Sequence, residues 1–243
     1  MKSSNELNIQ AYARAAGILF LVTLIAGGFG EGYMPSKIIV SNDAAATAAN
    51  IKAFGFLFRL GFAGFLIESL CDTTLALNFY VLLKPVNKQL SLLAAFFGLM
   101  AAATFAVTEL FYFMALHWLG DASYLKTFQP EQLQTMALLS LRYYSYGGAL
   151  FTAYYGVAWI IRSYLIFRSG YLPRLIAILM GIGGFAFVLR NFLLVLAPAY
   201  ASDVLLMLMF PGGLFLMGWL LVRGVDVAKW NAMNETIPAP TAT

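Results

Sequence analysis

The chain has 243 residues, of which 61% are hydrophobic and only 11% are charged. Soluble domains carry about 25% charged and about 45–50% apolar residues, so this composition excludes an ordinary water-soluble fold. The net charge of +4 is not gathered into a basic face with stacking aromatic residues, so we expect no nucleic-acid partner. The single cysteine, Cys71, excludes an intrachain disulfide and a cysteine-based metal cluster.

Six apolar stretches along the chain are long enough to cross a bilayer as helices, which takes about 20 residues each. The predicted spans are 15–32, 54–83, 91–119, 135–167, 174–197 and 203–223. Residues 224–243 form a polar C-terminal tail. We therefore predict an all-α, polytopic membrane helix bundle that forms one transmembrane domain over residues 1–243, with the lipid bilayer as its surroundings.

Local signals mark several ends of these helices. After the first span, Ser41-Asn42-Asp43 resembles an N-cap that opens a short helix leading into the second span. Lys84-Pro85 and the stretch from Arg168 to Arg174 are basic turns after the second and fourth spans. Pro211-Gly212-Gly213 is expected to interrupt the sixth span.

The positive charges predict the orientation, because cytoplasmic loops of membrane proteins are enriched in Lys and Arg. One side of the predicted topology carries nine, namely Lys2, Arg14, Lys84, Lys88, Arg162, Arg168, Arg174, Arg223 and Lys229. The other side carries three, namely Lys37, Lys52 and Lys126. We expect a multi-pass protein of the cell (inner) membrane with both termini in the cytoplasm.

Three arginines, Arg59, Arg142 and Arg190, fall inside apolar spans. A charge at the centre of a membrane helix costs about 2.5–3.5 kcal/mol on insertion scales, so such a residue usually faces the protein interior and finds a partner. Glu68 and Asp72 lie four residues apart on one face of the second helix. Glu109 in the third span and Glu31 at the end of the first are further candidate partners.

These charges predict a polar, outward-facing cavity that binds a ligand. Its candidate residues are Arg59, Glu68, Asp72, Glu109, His117, Arg142, Tyr146, Arg190 and Asn191. The alternative is that the arginines and carboxylates pair directly as links between helices, with no ligand between them. A third possibility is that the arginines extend to the outer interface.

His117 is the one histidine of the chain and lies beside Trp118 at the outer end of the third span. A lone histidine without a cysteine pair is a weak basis for a transition-metal site, so we expect no metal and no cofactor. The position of His117 favours a role as an interfacial anchor, or else as a group that exchanges protons near neutral pH. Nucleotide-binding, zinc-protease and serine-hydrolase motifs are absent from the sequence.

Several segments together resemble the prokaryotic integral membrane proteins grouped as domain of unknown function family 4386. They are Arg14 to Gly17, Asn42 to Ile51, Phe58 to Gly61, Leu82 to Asn87, Phe128 to Leu133 and Arg168 to Arg174. The chain departs from the family's usual pattern at Ser41-Asn42 and Ser163-Tyr164. The resemblance implies about six helices and a prokaryotic membrane, but no activity and no catalytic residues.

Three kinds of function remain open from the sequence. The favoured one is binding or transport of a small polar or lipid-like molecule in the charged cavity. The alternatives are a membrane-embedded enzyme that uses Glu109 and His117 as an acid–base pair, and a structural or accessory membrane subunit. The sequence does not predict an oligomeric state.

Overall fold

The computed structural model describes residues 8–235, and every regular element in that range is a helix. Six of these helices are long and apolar enough to cross a membrane. They are Ile9–Ile38, Gly55–Leu83, Lys88–Trp118, Pro130–Ser169, Arg174–Leu196 and Val204–Val222. The predicted fold class, an all-α membrane protein with six spans, is therefore confirmed.

The first span is not a uniform α-helix. It consists of α1 (Ile9–Gly27), a π-helical turn (Gly28–Tyr33) and α2 (Met34–Ile38). Its π-helical turn has the sequence GFGEGY, in which the first, third and fifth residues are glycine. Turns of this kind are rare and occur mostly as local interruptions of α-helices, frequently at functional sites.

The short helix predicted after the first span is confirmed as α3 (Ala44–Ala53). Asp43 is its N-cap: the backbone N–H of Ala46 donates a hydrogen bond of 2.8 Å to Asp43 Oδ1. A side-chain acceptor at this position satisfies one of the free N–H groups of the first turn. This cap fixes where α3 begins.

The two basic turns join four long helices as predicted. The first turn joins α4 (Gly55–Leu83) to α5 (Lys88–Trp118), and the second joins α6 (Pro130–Ser169) to α7 (Arg174–Leu196). Gly170 in the second turn has a φ of +69°, a backbone conformation that favours glycine. At 40 residues, α6 is about 60 Å long and extends well beyond a hydrocarbon core of about 30 Å.

The sixth span is interrupted, but not at the predicted proline. It consists of α8 (Val204–Met207) and α9 (Met209–Val222), which are separated at Leu208. Pro211 lies in the first turn of α9, where its missing N–H would have no partner within the helix. The proline is therefore compatible with an unbroken α9.

The predicted polar tail contains a helix that the sequence did not indicate. Residues Val227–Glu235 form α10, and Trp230 within it is buried. The indole N–H of Trp230 donates a hydrogen bond of 3.0 Å to the carbonyl of Leu82. Residues 236–243 of the predicted tail lie outside the described part of the chain.

The chain divides into two compact units, and α1, α4, α5 and α6 contribute residues to both. The first unit comprises residues 8–21, 72–101 and 152–235, and the second comprises residues 22–71 and 102–151. The prediction of one domain is not tested by this division and stays a prediction.

Close helix packing in the first unit depends on glycine. A Cβ placed on Gly156 would lie 2.7 Å from the carbonyl oxygen of Gly184, and one on Gly184 would lie 2.8 Å from that of Gly156. The backbones of α6 and α7 therefore touch at this point, a close approach that small residues allow. Large apolar residues such as Leu70, Phe185 and Val195 remain exposed, as a lipid-facing surface requires.

Candidate functional site

Glu109 is the most unusual side chain of the second unit. It lies on α5, within a membrane span, and is only 3% exposed. Neither of its carboxylate oxygens has a hydrogen-bond partner among residues 8–235. Burial of an ionisable group without a partner costs several kcal/mol, on the order of the penalty for a charge in a bilayer. Glu109 is therefore the group whose environment demands a further explanation.

Two more carboxylates lie in the same part of the second unit. Glu31, on the π-helical turn, interacts electrostatically with Glu109. Glu68, on α4, is buried, and both of its oxygens lie 2.9 Å from the position that a Cβ on Gly27 would occupy. The missing side chain of Gly27 lets the carboxylate of Glu68 approach the backbone of α1. All three acids interact electrostatically with Tyr144 on α6.

Tyr112 follows Glu109 by almost one helical turn and faces the same region. It is 1% exposed, and its hydroxyl has no hydrogen-bond partner in the described chain. Its hydroxyl interacts electrostatically with Glu109. A buried tyrosine normally places its O–H against a partner, so this hydroxyl is a second polar group left open at the same place.

Aromatic rings surround Tyr112. Phe58 stacks on it with ring centroids 4.1 Å apart and an angle of 9°. Phe65 and Tyr144 meet it edge-on at centroid distances of 5.2 and 5.4 Å. Phe65 in turn packs against the π-helical turn, because its Cε1 lies 2.5 Å from the position of a Cβ on Gly30. We call Glu31, Glu68, Glu109, Tyr112 and Tyr144 the Glu109 site.

The predicted arginines have separate surroundings. Arg59 is exposed. Arg142, also exposed, donates a hydrogen bond of 2.7 Å to Asn42 Oδ1 in the second unit. In the first unit, Arg190 forms an ion pair of 2.6 Å with Asp203, which is itself exposed. The grouping of these three arginines around one ligand stays a prediction.

His117 and Tyr146 lie at the surface of the second unit. The Nε2 atom of His117 is hydrogen-bonded to the hydroxyl of Tyr124 at 2.5 Å. His117 and Glu109 are eight residues apart on α5, about 12 Å along the helix axis, so the structure does not join them as a hydrogen-bonded acid–base pair. Tyr146 is 62% exposed, whereas Tyr144 contributes to the Glu109 site.

The remaining predicted residues, Asp72 and Asn191, belong to the first unit. Asp72 is buried and interacts electrostatically with Arg162. Asn191 donates hydrogen bonds of 2.8 Å to the hydroxyl of Thr152 and the carbonyl of Phe187. Asn191 therefore acts as a polar link between α6 and α7.

Arg162, which was counted among the cations of the predicted cytoplasmic side, has an enclosed side chain. It lies inside α6 and is only 3% exposed. Its guanidinium carbon lies 4.8 Å from the centroid of the Phe79 ring, a cation–π contact. The side chain also approaches α5, since its Nη2 atom lies 2.7 Å from the position of a Cβ on Gly98.

The described part of the chain gives no indication of a metal site. Across residues 8–235, no group of three or more His, Cys, Asp or Glu side chains is arranged so that it could hold a metal ion.

Comparison with known proteins connects this arrangement to a family. The family model described as "Domain of unknown function (DUF4386)" matches residues 15–224. The chain belongs to the DUF4386 family. A relative from Archaeoglobus fulgidus, named "Uncharacterized protein", is 27% identical over 196 residues, which cover 79% of this chain and 99% of the relative. No solved structure matches the chain significantly.

In this DUF4386 protein, sequence reasoning identified Glu68 and Glu109 but passed over Tyr112 as a site residue. Its spacing of three residues from Glu109 was the available signal, because residues i and i+3 share a helix face. Nothing comparable singled out Tyr144 from its neighbours Tyr143 and Tyr146, since the rotation of α6 decides which tyrosine faces the carboxylates.

Proposed function

We propose that this membrane protein binds a small polar molecule in its Glu109 site and acts as a receptor or carrier. The observation that supports the proposal is the unpartnered, buried carboxylate of Glu109. Ionisable residues inside membrane spans are rare, and they commonly mark pathways for ions or substrates. A bound molecule that donates hydrogen bonds would satisfy Glu109 and the hydroxyl of Tyr112 together.

The π-helical turn supports a ligand-responsive role for the first span. It carries Glu31, and it is the place where the span departs from α-helical geometry. Such turns lack the regular α-helical hydrogen bonds and are found disproportionately at functional sites. A change at the Glu109 site would therefore act on a part of the first span that is already irregular.

We also propose an orientation with both termini in the cytoplasm of a prokaryotic cell, and with the Glu109 site toward the outer face. Without Arg162, which is buried, the predicted cytoplasmic side has eight Lys and Arg residues against three. That asymmetry still supports the orientation. The archaeal relative supports a prokaryotic membrane.

The binding proposal is tested by ligand-induced stabilisation of the purified protein in detergent micelles. Wild type, Glu109→Gln and Glu109→Met are heated with small molecules of cationic, anionic and neutral polar classes. Glu131→Gln is the matched control, since Glu131 is exposed at the start of α6. We expect at least one class to raise the Tm of wild type and of the Glu131 variant, but not the Tm of the Glu109 variants.

The same experiment includes the proteins without ligand. There we expect Glu109→Met to be more stable than wild type by about 1–3 kcal/mol, because it removes a buried group that has no partner. A structural role for Glu109 predicts the reverse. If Glu109→Met lowers the Tm and no class of molecule stabilises wild type, the protein is a structural or accessory subunit and the proposal is wrong.

A further inference from the structure

We propose that the ligand of the Glu109 site is a protonated alkylamine, with its ammonium group on Glu109 and Tyr112 and its alkyl part against the aromatic rings. This inference rests on the proposed binding function and adds the chemical class of the ligand. It follows from the charge of the site, from the number of open acceptors and from the rings around them.

The charge of the site favours a cation. Glu109 interacts electrostatically with Glu31, and Tyr144 interacts with Glu31, Glu68 and Glu109. These are acidic groups from α4, α5 and the π-helical turn. Of the predicted arginines in the second unit, Arg142 donates a hydrogen bond to Asn42 and Arg59 is exposed. A positively charged ligand would offset the repulsion among the acids.

The open acceptors favour N–H donors rather than a bare metal ion. Glu109 offers two oxygens and Tyr112 one, and none of the three has a hydrogen-bond partner in residues 8–235. A primary ammonium group carries three donors. The acids are not arranged closely enough to coordinate a metal ion within the described chain. An ammonium group therefore matches both the number and the kind of the unpartnered atoms.

The rings favour a ligand with an apolar part. Phe58, Phe65 and Tyr144 all contact the Tyr112 ring within 5.4 Å between centroids. Aromatic faces attract organic cations, and their apolar area suits short alkyl chains. Tyr144 is half-buried, its ring packs against Phe65 and Tyr112, and it interacts electrostatically with the acids, so it connects the apolar and the polar part of the site.

Titration of n-alkylammonium chlorides, from methyl to hexyl, into the full-length protein in micelles tests this inference. Binding is measured by calorimetry and Tm at pH 7, where alkylamines are protonated. The comparison probes are two salts at equal ionic strength, tetraethylammonium chloride and sodium chloride, together with n-butyrate and 1-butanol. The variants are Glu109→Gln, Tyr112→Phe and Tyr146→Phe, the last of which loses an exposed hydroxyl as a matched control.

We expect an alkylammonium to bind wild type and the Tyr146 variant alike. Glu109→Gln should weaken binding by about tenfold or more, and Tyr112→Phe by about three- to tenfold, because each removes an acceptor for a charged donor. Tyr112→Phe keeps the aromatic ring, so any loss of affinity in this variant is due to the missing hydroxyl.

Failure of this inference is distinguishable from failure of the binding function. If butyrate or butanol stabilises the protein in a Glu109-dependent way and no ammonium compound does, the proposal of an alkylamine ligand is wrong. The proposed binding function then still holds. If sodium stabilises the protein as much as the alkylammonium ions do, the ligand is an inorganic cation and the amine proposal is wrong. If tetraethylammonium binds as tightly as the alkylammonium ions and Tyr112→Phe has no effect, the site does not recognise N–H donors. If none of the probes stabilises wild type, both proposals are wrong for these chemical classes.

Discussion

Gly30 and Gly32 lie two residues apart in the same π-helical turn but have different surroundings. A Cβ on Gly30 would lie 2.5 Å from the ring of Phe65, whereas a Cβ on Gly32 would have no heavy atom within 4 Å. Phe65 is fully buried and is held by Phe105 and Tyr112, so its ring has little freedom to move. The turn is therefore tightly fitted on one side and open on the other.

From this contrast we predict that Gly30→Ala destabilises the protein by about 1–3 kcal/mol through overpacking. Gly32→Ala should be neutral or stabilising by up to about 1 kcal/mol, because alanine reduces the freedom of the unfolded chain. Thermal unfolding of both variants in micelles measures the difference. Equal Tm values for the two variants would contradict the close packing of Phe65 on the π-helical turn.

The buried and exposed arginines show how far the surroundings of single residues could be predicted from the sequence. Arg142 and Arg162 both fall within the predicted fourth span, yet Arg142 is exposed and Arg162 is buried against Phe79. Both lie on α6, which is much longer than a bilayer core is thick. Hydropathy cannot tell which part of such a helix is enclosed by other helices, because that depends on their packing.

The end of α4 shows how separate elements complete one another. The carbonyl of Leu82, among the last four of α4, accepts a hydrogen bond of 2.7 Å from Tyr171 and one of 3.0 Å from Trp230. The last four carbonyls of a helix have no partner within it, so these side chains act as a cap supplied from the α6–α7 turn and from α10. Burial raises the pKa of Tyr171, which keeps this donor protonated.

The start of α10 depends on Asp226. The N–H of Lys229 donates to Asp226 Oδ1 at 3.2 Å, and the Lys229 ammonium lies 3.2 Å from Oδ2. The backbone hydrogen bond and then the contact with the Lys229 side chain hold the pKa of Asp226 below its usual range. Its contribution to helix stability is therefore complete above the ordinary pKa and is lost as the pH falls through the lowered one.

We predict that Asp226→Ala increases amide hydrogen exchange in residues 227–235 at pH 7, whereas Asp226→Asn, which retains an N-cap acceptor, changes it less. The difference between wild type and Asp226→Asn should vanish only as the pH falls below the lowered pKa of Asp226, because the carboxylate is protonated there. Comparison of the two proteins at each pH cancels the intrinsic pH dependence of exchange. Unchanged exchange in Asp226→Ala at pH 7 would show that α10 does not need its cap.

At the scale of the whole molecule, a lipid-facing surface and an uneven distribution of charge act together. Large apolar side chains are exposed along the spans, and four basic residues, Lys84, Lys88, Arg168 and Arg174, lie in or next to the turns after the second and fourth spans. The exposed apolar residues suit hydrocarbon, while the cations resist translocation across the membrane during insertion. Together they favour one of the two possible orientations.

This orientation predicts which loops a membrane-impermeant thiol reagent reaches in intact cells. In a Cys71→Ala background we expect Lys126→Cys to be labelled from outside and Arg168→Cys to be labelled only after permeabilisation. Both positions are exposed, and they lie at opposite ends of α6 and its flanking turns. Labelling of Arg168→Cys but not Lys126→Cys in intact cells would reverse the proposed topology.

The amino-acid sequence alone determined the number and type of the spans, the N-cap of α3 and the family of this protein. Long apolar runs, breakers and caps act locally, so they are visible without knowledge of packing. Tertiary structure decided that Tyr112 and Tyr144 join Glu109, that Arg162 is buried, and that α10 packs its tryptophan against Leu82. These features depend on the rotation and close approach of helices far apart in the sequence, which hydropathy does not encode.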